Sequence, residues 1–161
     1  MGRFHRIFTV TLTLVVLTIG ACDGGNNETQ SLYRPTTSMM QTMNWILDYQ
    51  ADIIWGNSGW EYDADGEHEL FPTNDAEWME LRNAAATIAE TGNLLMMPGR
   101  IDGADGRGQD WLAYSQGIVD VGRQLITAAE NQDKQAIFDL GGDLYRVCVA
   151  CHTAYAYPQE Q

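Results

Sequence analysis

The sequence predicts an all-α fold, an antiparallel four-helix bundle. Three observations carry that prediction. Four segments repeat apolar residues at steps of three and four, the period of one helix face. No segment alternates apolar with polar residues as a half-buried strand does. The segments run about 18 to 23 residues, with seven-residue apolar repeats, which is the pattern of helices packed side by side.

Residues 1–21 precede the bundle and read as a targeting segment. Arg3, His5 and Arg6 give a basic start, and Phe8 to Ile19 is apolar but short for a spanning helix. The run closes on Leu17-Thr18-Ile19-Gly20-Ala21-Cys22, which resembles a bacterial lipoprotein lipobox. That resemblance implies a signal peptide over 1–21, a lipid on Cys22 and a membrane anchor through it. An ordinary secretory cut near Ala21 is the other reading. Asp23 resembles the signal that retains lipoproteins at the inner membrane, so the expected location is the periplasm, tethered to that membrane. Residues 22–35 are polar, with Gly24-Gly25-Asn26-Asn27-Glu28-Thr29-Gln30 offering nothing for a core, and read as a flexible tether.

Residues 36–161 are the expected domain. Its first segment runs from about Ser38 to Trp55. Met40, Met43, Leu47 and Ile54 fall on one stripe, Ser38 suits an N-cap, and Gly56 ends the run. An acidic stretch to about Thr73 reads as a solvated loop. Its Asp63-Ala64-Asp65-Gly66 places glycine too early for a calcium-binding EF-hand. The second segment, Asp75 to Met97, opens on Asn74 with Glu77 three residues on, like a capping box, and stops at Pro98-Gly99. Its stripe is Trp78, Leu81, Ala85, Ile88 and Leu95. The third, Asp110 to Asn131, carries Trp111, Tyr114, Ile118, Val121, Leu125 and Ala128. The fourth, Asp133 to Tyr155, carries Ile137, Leu140, Leu144, Val147 and Cys151. Its Gly141-Gly142 pair weakens the helix by about 1 kcal/mol per glycine and points to close approach by another helix or by a bound group, or to a local kink.

Charge narrows the partners. The formal net charge is −13, and loss of Arg3 and Arg6 with the signal takes it to about −15. Nucleic acid is not expected against such a surface. A redox partner with a basic docking patch fits it.

The chemistry sits near the end of the fourth segment, in Cys148-Val149-Ala150-Cys151-His152. C-x-x-C-H is the attachment sequence of c-type haem: two thiols bond the vinyl groups and the imidazole binds iron. On a helix the three side chains fall on adjacent positions of one face. A thioredoxin-like dithiol needs a βαβ setting that this sequence lacks. A structural zinc site needs about four ligands. Only His68 could join the three, and it lies far off in the acidic stretch. Three cysteines are then accounted for, two by haem and Cys22 by lipid.

Four helices with C-x-x-C-H near the end of the last resemble the class II c-type cytochromes, the cytochrome c-prime and c-556 group. The resemblance spans about Ser38 to Tyr157 and rests on Gly142, Cys148, Cys151, His152 and Thr153-Ala154-Tyr155. It implies one covalent haem c attached on the last helix, with His152 as proximal iron ligand. It places the distal position on the first helix, where Met43 is the leading candidate and Met40 the runner-up. Met39 lies beside them, and Met96 and Met97 are poorer candidates beside a helix-stopping proline. Methionine there implies an electron carrier cycling between Fe(III) and Fe(II). Methionines that only pack would imply a five-coordinate haem that binds nitric oxide or carbon monoxide. A haem with a purely structural role is a third reading. No base, nucleophile or substrate pocket is visible, so no enzyme is expected. Relatives often form homodimers through their first two helices, and Trp45, Trp55 and Trp78 suit either such a face or the core. Arg34 precedes Pro35, outside the helix where some relatives place a propionate-binding arginine. Arg100, Arg107 and Arg146 are candidate propionate partners by charge alone.

Overall fold

A computed structural model describes residues 32–100 and 108–156. Cys22, the expected signal, most of the tether and Arg107 lie outside the described residues. Four helices pack together into an all-α bundle, with one small hairpin beside it.

The first helix is a rod in three pieces. Helix α1 spans Met39–Thr42, a π-helical turn spans Met43–Leu47, and α2 spans Asp48–Gly56. Ser38 caps the start: its hydroxyl accepts from the Gln41 amide, and the Gln41 side chain accepts from the Ser38 amide. This reciprocal box satisfies two orphan donors. The π turn is set by the Asp48 amide, which donates to the Met43 carbonyl five residues back. A turn with one extra residue rotates everything ahead of it. Met40 therefore leaves the inner stripe and stands 68% exposed, while Met39 packs against the core instead.

Between the first two helices the expected loop is in part a hairpin. Strand β1, Trp60–Asp63, pairs antiparallel with β2, Gly66–Glu69, matching Trp60 with Glu69 and Asp63 with Gly66. The Asp63 carboxylate accepts from the amides of Asp65 (2.8 Å) and Gly66 (3.2 Å), and Gly66 takes a φ of 130° that only glycine adopts readily. Both strands are exposed on either face, so no alternation marked them in the sequence. Trp60 hooks the hairpin down, its ring 5.2 Å from Phe71 and 5.5 Å from Phe138.

Helix α3 spans Asp75–Leu95, α4 spans Gly108–Glu130 and α5 spans Lys134–Tyr155. Asn74 caps α3 by accepting from the Ala76 and Glu77 amides. Glu77 reaches one residue further back than a capping box requires, to the amide and hydroxyl of Thr73. Those bonds hold its carboxyl below the usual carboxylate range. Asp133 caps α5 through the Ala136 amide.

The core follows the sequence stripes. Trp78, Leu81, Ala85, Ile88 and Leu95 of α3 are buried, as are Trp111, Ile118, Val121, Leu125 and Ala128 of α4. Helices α3 and α4 meet most closely at two glycines. A Cβ on Gly122 would lie 2.8 Å from the Ala89 Cβ, and one on Gly92 would lie 2.7 Å from a Val119 methyl and 2.9 Å from the Ser115 carbonyl. Helix α4 packs in turn on α5, and α2 touches both α3 and α5.

Candidate functional site

One end of α5 is held by aromatic contacts and one bond. Tyr155 sets its ring edge-on to Trp111 at 5.1 Å and to Tyr114 at 6.3 Å. The Trp111 indole donates to the Leu95 carbonyl at 2.8 Å. The turn that carries His152 is thereby fixed to α4, and α4 to the end of α3. Further along, the Trp55 indole donates to the Gly141 carbonyl at 3.0 Å. A Cβ on Gly141 would touch Trp55 and Ser58 at 3.5–3.6 Å. The close approach expected at the glycine pair is thus made by the first rod, at Gly141.

Between these two ties lies a cavity of about 310 Å³. Helix α5 lines it with Leu144, Tyr145, Cys148, Val149, Cys151 and His152. The first rod lines it with Met43, Asn44, Leu47, Asp48, Ala51 and Trp55, and α3 and α4 contribute Ile88 and Ile118. The two cysteines, the histidine and Met43 therefore share one space. Met40 does not line it. Of the three tryptophans, Trp55 is in the wall, Trp78 is core and Trp45 is 64% exposed.

The thiols are free and sit in apolar surroundings, with Cys151 only 7% exposed. Burial pushes the Cys148 thiol up to about 11, helped by the charges that Cys151 and Asp48 would set beside it. Burial raises Cys151 as well. Both are neutral thiols at pH 7. A redox-active dithiol is activated by a lowered thiol pKa, the opposite of what burial does to these two. His68, the one residue available to a zinc reading, is 3.0 Å from Asp63 within the hairpin. Among the described residues no group of three acidic, cysteine or histidine side chains converges to hold a metal ion.

The chemistry of the donor set fits a haem. Two neutral, sheltered thiols and a neighbouring imidazole stand on one helix, an apolar wall surrounds them, and a thioether enters from another helix. Cys148 and Cys151 would hold the group and His152 would ligate iron. Neither Arg100 nor Arg146 lines the cavity: Arg146 pairs with Asp143, and Arg100 is bonded to Thr37.

Asn44, Asp48 and Trp55 were not assigned to the site from sequence. Leu47 and Ala51 follow Met43 at steps of four and carry a signal of their own. Asn44 and Asp48 share the wall with Ala51 and Trp55 at steps of three and four, but as polar residues they add nothing to an apolar stripe.

Among the described residues no helix is long and apolar enough to cross a membrane. Comparisons of the chain with protein-family models, with curated proteins and with solved structures returned no match.

Proposed function

We propose that this chain is a monohaem c-type cytochrome that carries electrons. The observation that supports it most is the shared cavity: Cys148, Cys151 and His152 on the last helix meet Met43 of the first across one apolar space. The bound haem would supply an iron that takes up and gives back one electron. The chain's own residues do the rest. Cys148 and Cys151 tether the group, His152 donates a nitrogen lone pair to the iron, and Met43 donates a sulfur. Methionine ligation raises the reduction potential, which suits a carrier. Leu47, Ala51, Ile88, Ile118 and Leu144 exclude water from its faces.

The finer architecture belongs to the same reading. The connection from α4 to α5 is short, and short connections make antiparallel neighbours. An antiparallel four-helix bundle with its haem on the last helix accounts for the packing of α3 on α4, α4 on α5, and the first rod on α3 and α5. The resemblance to class II c-type cytochromes leads to the same arrangement. Lipid on Cys22 would hold the carrier at the periplasmic side of the inner membrane and raise its effective concentration near membrane oxidoreductases. The acidic charge would favour partners with a basic patch.

The test is covalent attachment. Expressed with haem-maturation machinery, the protein should retain one haem after acid and organic denaturation. Cys148→Ser with Cys151→Ser should abolish that retention. A wild-type protein whose haem washes out, or that takes none, overturns the proposal.

A further inference from the structure

Arg100 lies in the turn that follows α3, its amide donating to the Met97 carbonyl, and is only 6% exposed. A buried guanidinium is ordinarily matched by a carboxylate, because an unmatched buried charge is costly. Here no ion pair to Arg100 is found among the described residues, and its Nε has no hydrogen-bond partner. What Arg100 does contact is the start of the first helix. Its Nη2 donates to the carbonyl and to the hydroxyl of Thr37, both at 3.1 Å.

The bonds beyond Thr37 have a fixed direction. Thr42 donates its one hydroxyl proton to the Ser38 carbonyl at 3.0 Å. The 2.8 Å contact between the Thr37 and Thr42 hydroxyls must therefore be donated by Thr37. A guanidinium offers only donors, so Thr37 accepts from Arg100 and passes its own proton to Thr42. The chain reads Arg100 to Thr37 to Thr42 to the Ser38 carbonyl, with no donor used twice. Thr42 is fully buried and directly precedes Met43, where the π turn begins.

We infer that Arg100 is a positioning residue for Met43, acting through Thr37 and Thr42; the inference rests on the reading of Met43 as the distal iron ligand. The network fixes the rotation of the first turns of the rod just ahead of the π turn. That rotation decides which methionine faces the cavity, since the same turn carries Met40 out to solvent. A buried guanidinium is well suited to hold the segment in one rotation, because one Nη2 donating to both oxygens of Thr37 tolerates little displacement.

The experiment uses the haem-loaded protein. Arg100→Met, Arg100→Lys and Thr42→Val are compared with wild type and with Gly122→Ala, which loosens the distant α3–α4 contact. The readouts are the methionine-to-iron charge-transfer band of the oxidised protein and carbon monoxide binding by the reduced protein. Arg100→Met and Thr42→Val should raise the fraction lacking the sulfur ligand about tenfold, as loss of one well-placed hydrogen bond does. Arg100→Lys, keeping the charge and N–H donors but not the planar guanidinium, should restore part of the band. Gly122→Ala should lower the melting temperature and leave the band unchanged. If Arg100→Met and Thr42→Val lower the melting temperature with the band and carbon monoxide binding as in wild type, the positioning role is overturned. A wild-type protein without the band overturns methionine ligation itself, and the role of Arg100 with it. Should Arg100→Met fail to fold, Thr42→Val decides alone, since it removes one hydroxyl and no charge.

Discussion

The Trp55 indole N–H donates to the Gly141 carbonyl at 3.0 Å, and this bond ties the helix that carries Met43 to the helix that carries His152. The two helices touch little elsewhere, because the cavity separates them. Trp55→Phe keeps most of the packing and loses the bond, and should cost about 1 kcal/mol in urea unfolding. Trp55→Ala also opens a hole in the cavity wall and should cost about 3–5 kcal/mol.

Gly122 and Gly92 let α3 and α4 approach until backbone nearly meets backbone. A methyl on Gly122 would meet the Ala89 Cβ, nitrogen and Cα at 2.8–2.9 Å. These are not flexible side-chain ends that can swing aside. Gly122→Ala should therefore destabilise the bundle by about 1–3 kcal/mol despite its better helix propensity, read as a lower urea midpoint. Gly142→Ala, whose new methyl would meet only the Arg146 side-chain end, should be neutral or slightly stabilising.

Before any group is attached to its thiols, the protein should lose stability at high pH. The Cys148 thiol titrates near 9.0 when unfolded and at about 11 when folded. Its neutral form is the one the fold favours. The stabilising contribution is complete below pH 9 and is lost as pH rises toward 11, by about 1–3 kcal/mol. Urea unfolding between pH 8 and pH 11 measures this as a fall in midpoint. Cys148→Ser should flatten most of the slope, with a smaller part left to Cys151. Thioether formation should flatten it in the same way, since no thiol then remains.

Tyr155 and Trp111 brace the last turn of α5 from the α4 side. Tyr155→Ala should loosen that turn, seen as faster amide exchange at residues 152–155. The effect should stay local, because Leu144 and Ile137 hold the rest of α5 in the core.

Much of the helical framework was legible because its signals are local. Ser38 and Asn74 cap the helices they were expected to open, and the stripes of α3 and α4 are buried except for Tyr114, which is half-buried. The attachment motif was legible because chemistry demands its spacing. Other features depend on contacts that no short pattern records. The hairpin at Trp60–Glu69 is held by one tryptophan on Phe71 and Phe138, with no apolar face of its own. Gly66, which opens β2 with a positive φ directly after the turn residues Ala64 and Asp65, was its one local sign. The π turn at Met43–Leu47 left no signal, and it is why Met40 and Met39 exchange places against the simple stripe. Arg100 was singled out for its charge alone, whereas its bonds run to Thr37, a residue far back in the chain.

The most direct measurement is the visible absorption spectrum of the haem-loaded protein, oxidised and reduced, for wild type and Met43→Ala. The account predicts a low-spin spectrum with a methionine-to-iron charge-transfer band in wild type, and loss of that band with new carbon monoxide binding in Met43→Ala. A high-spin wild-type spectrum that responds to carbon monoxide or nitric oxide, unchanged in Met43→Ala, would contradict the electron-carrier assignment and favour a gas-binding haem.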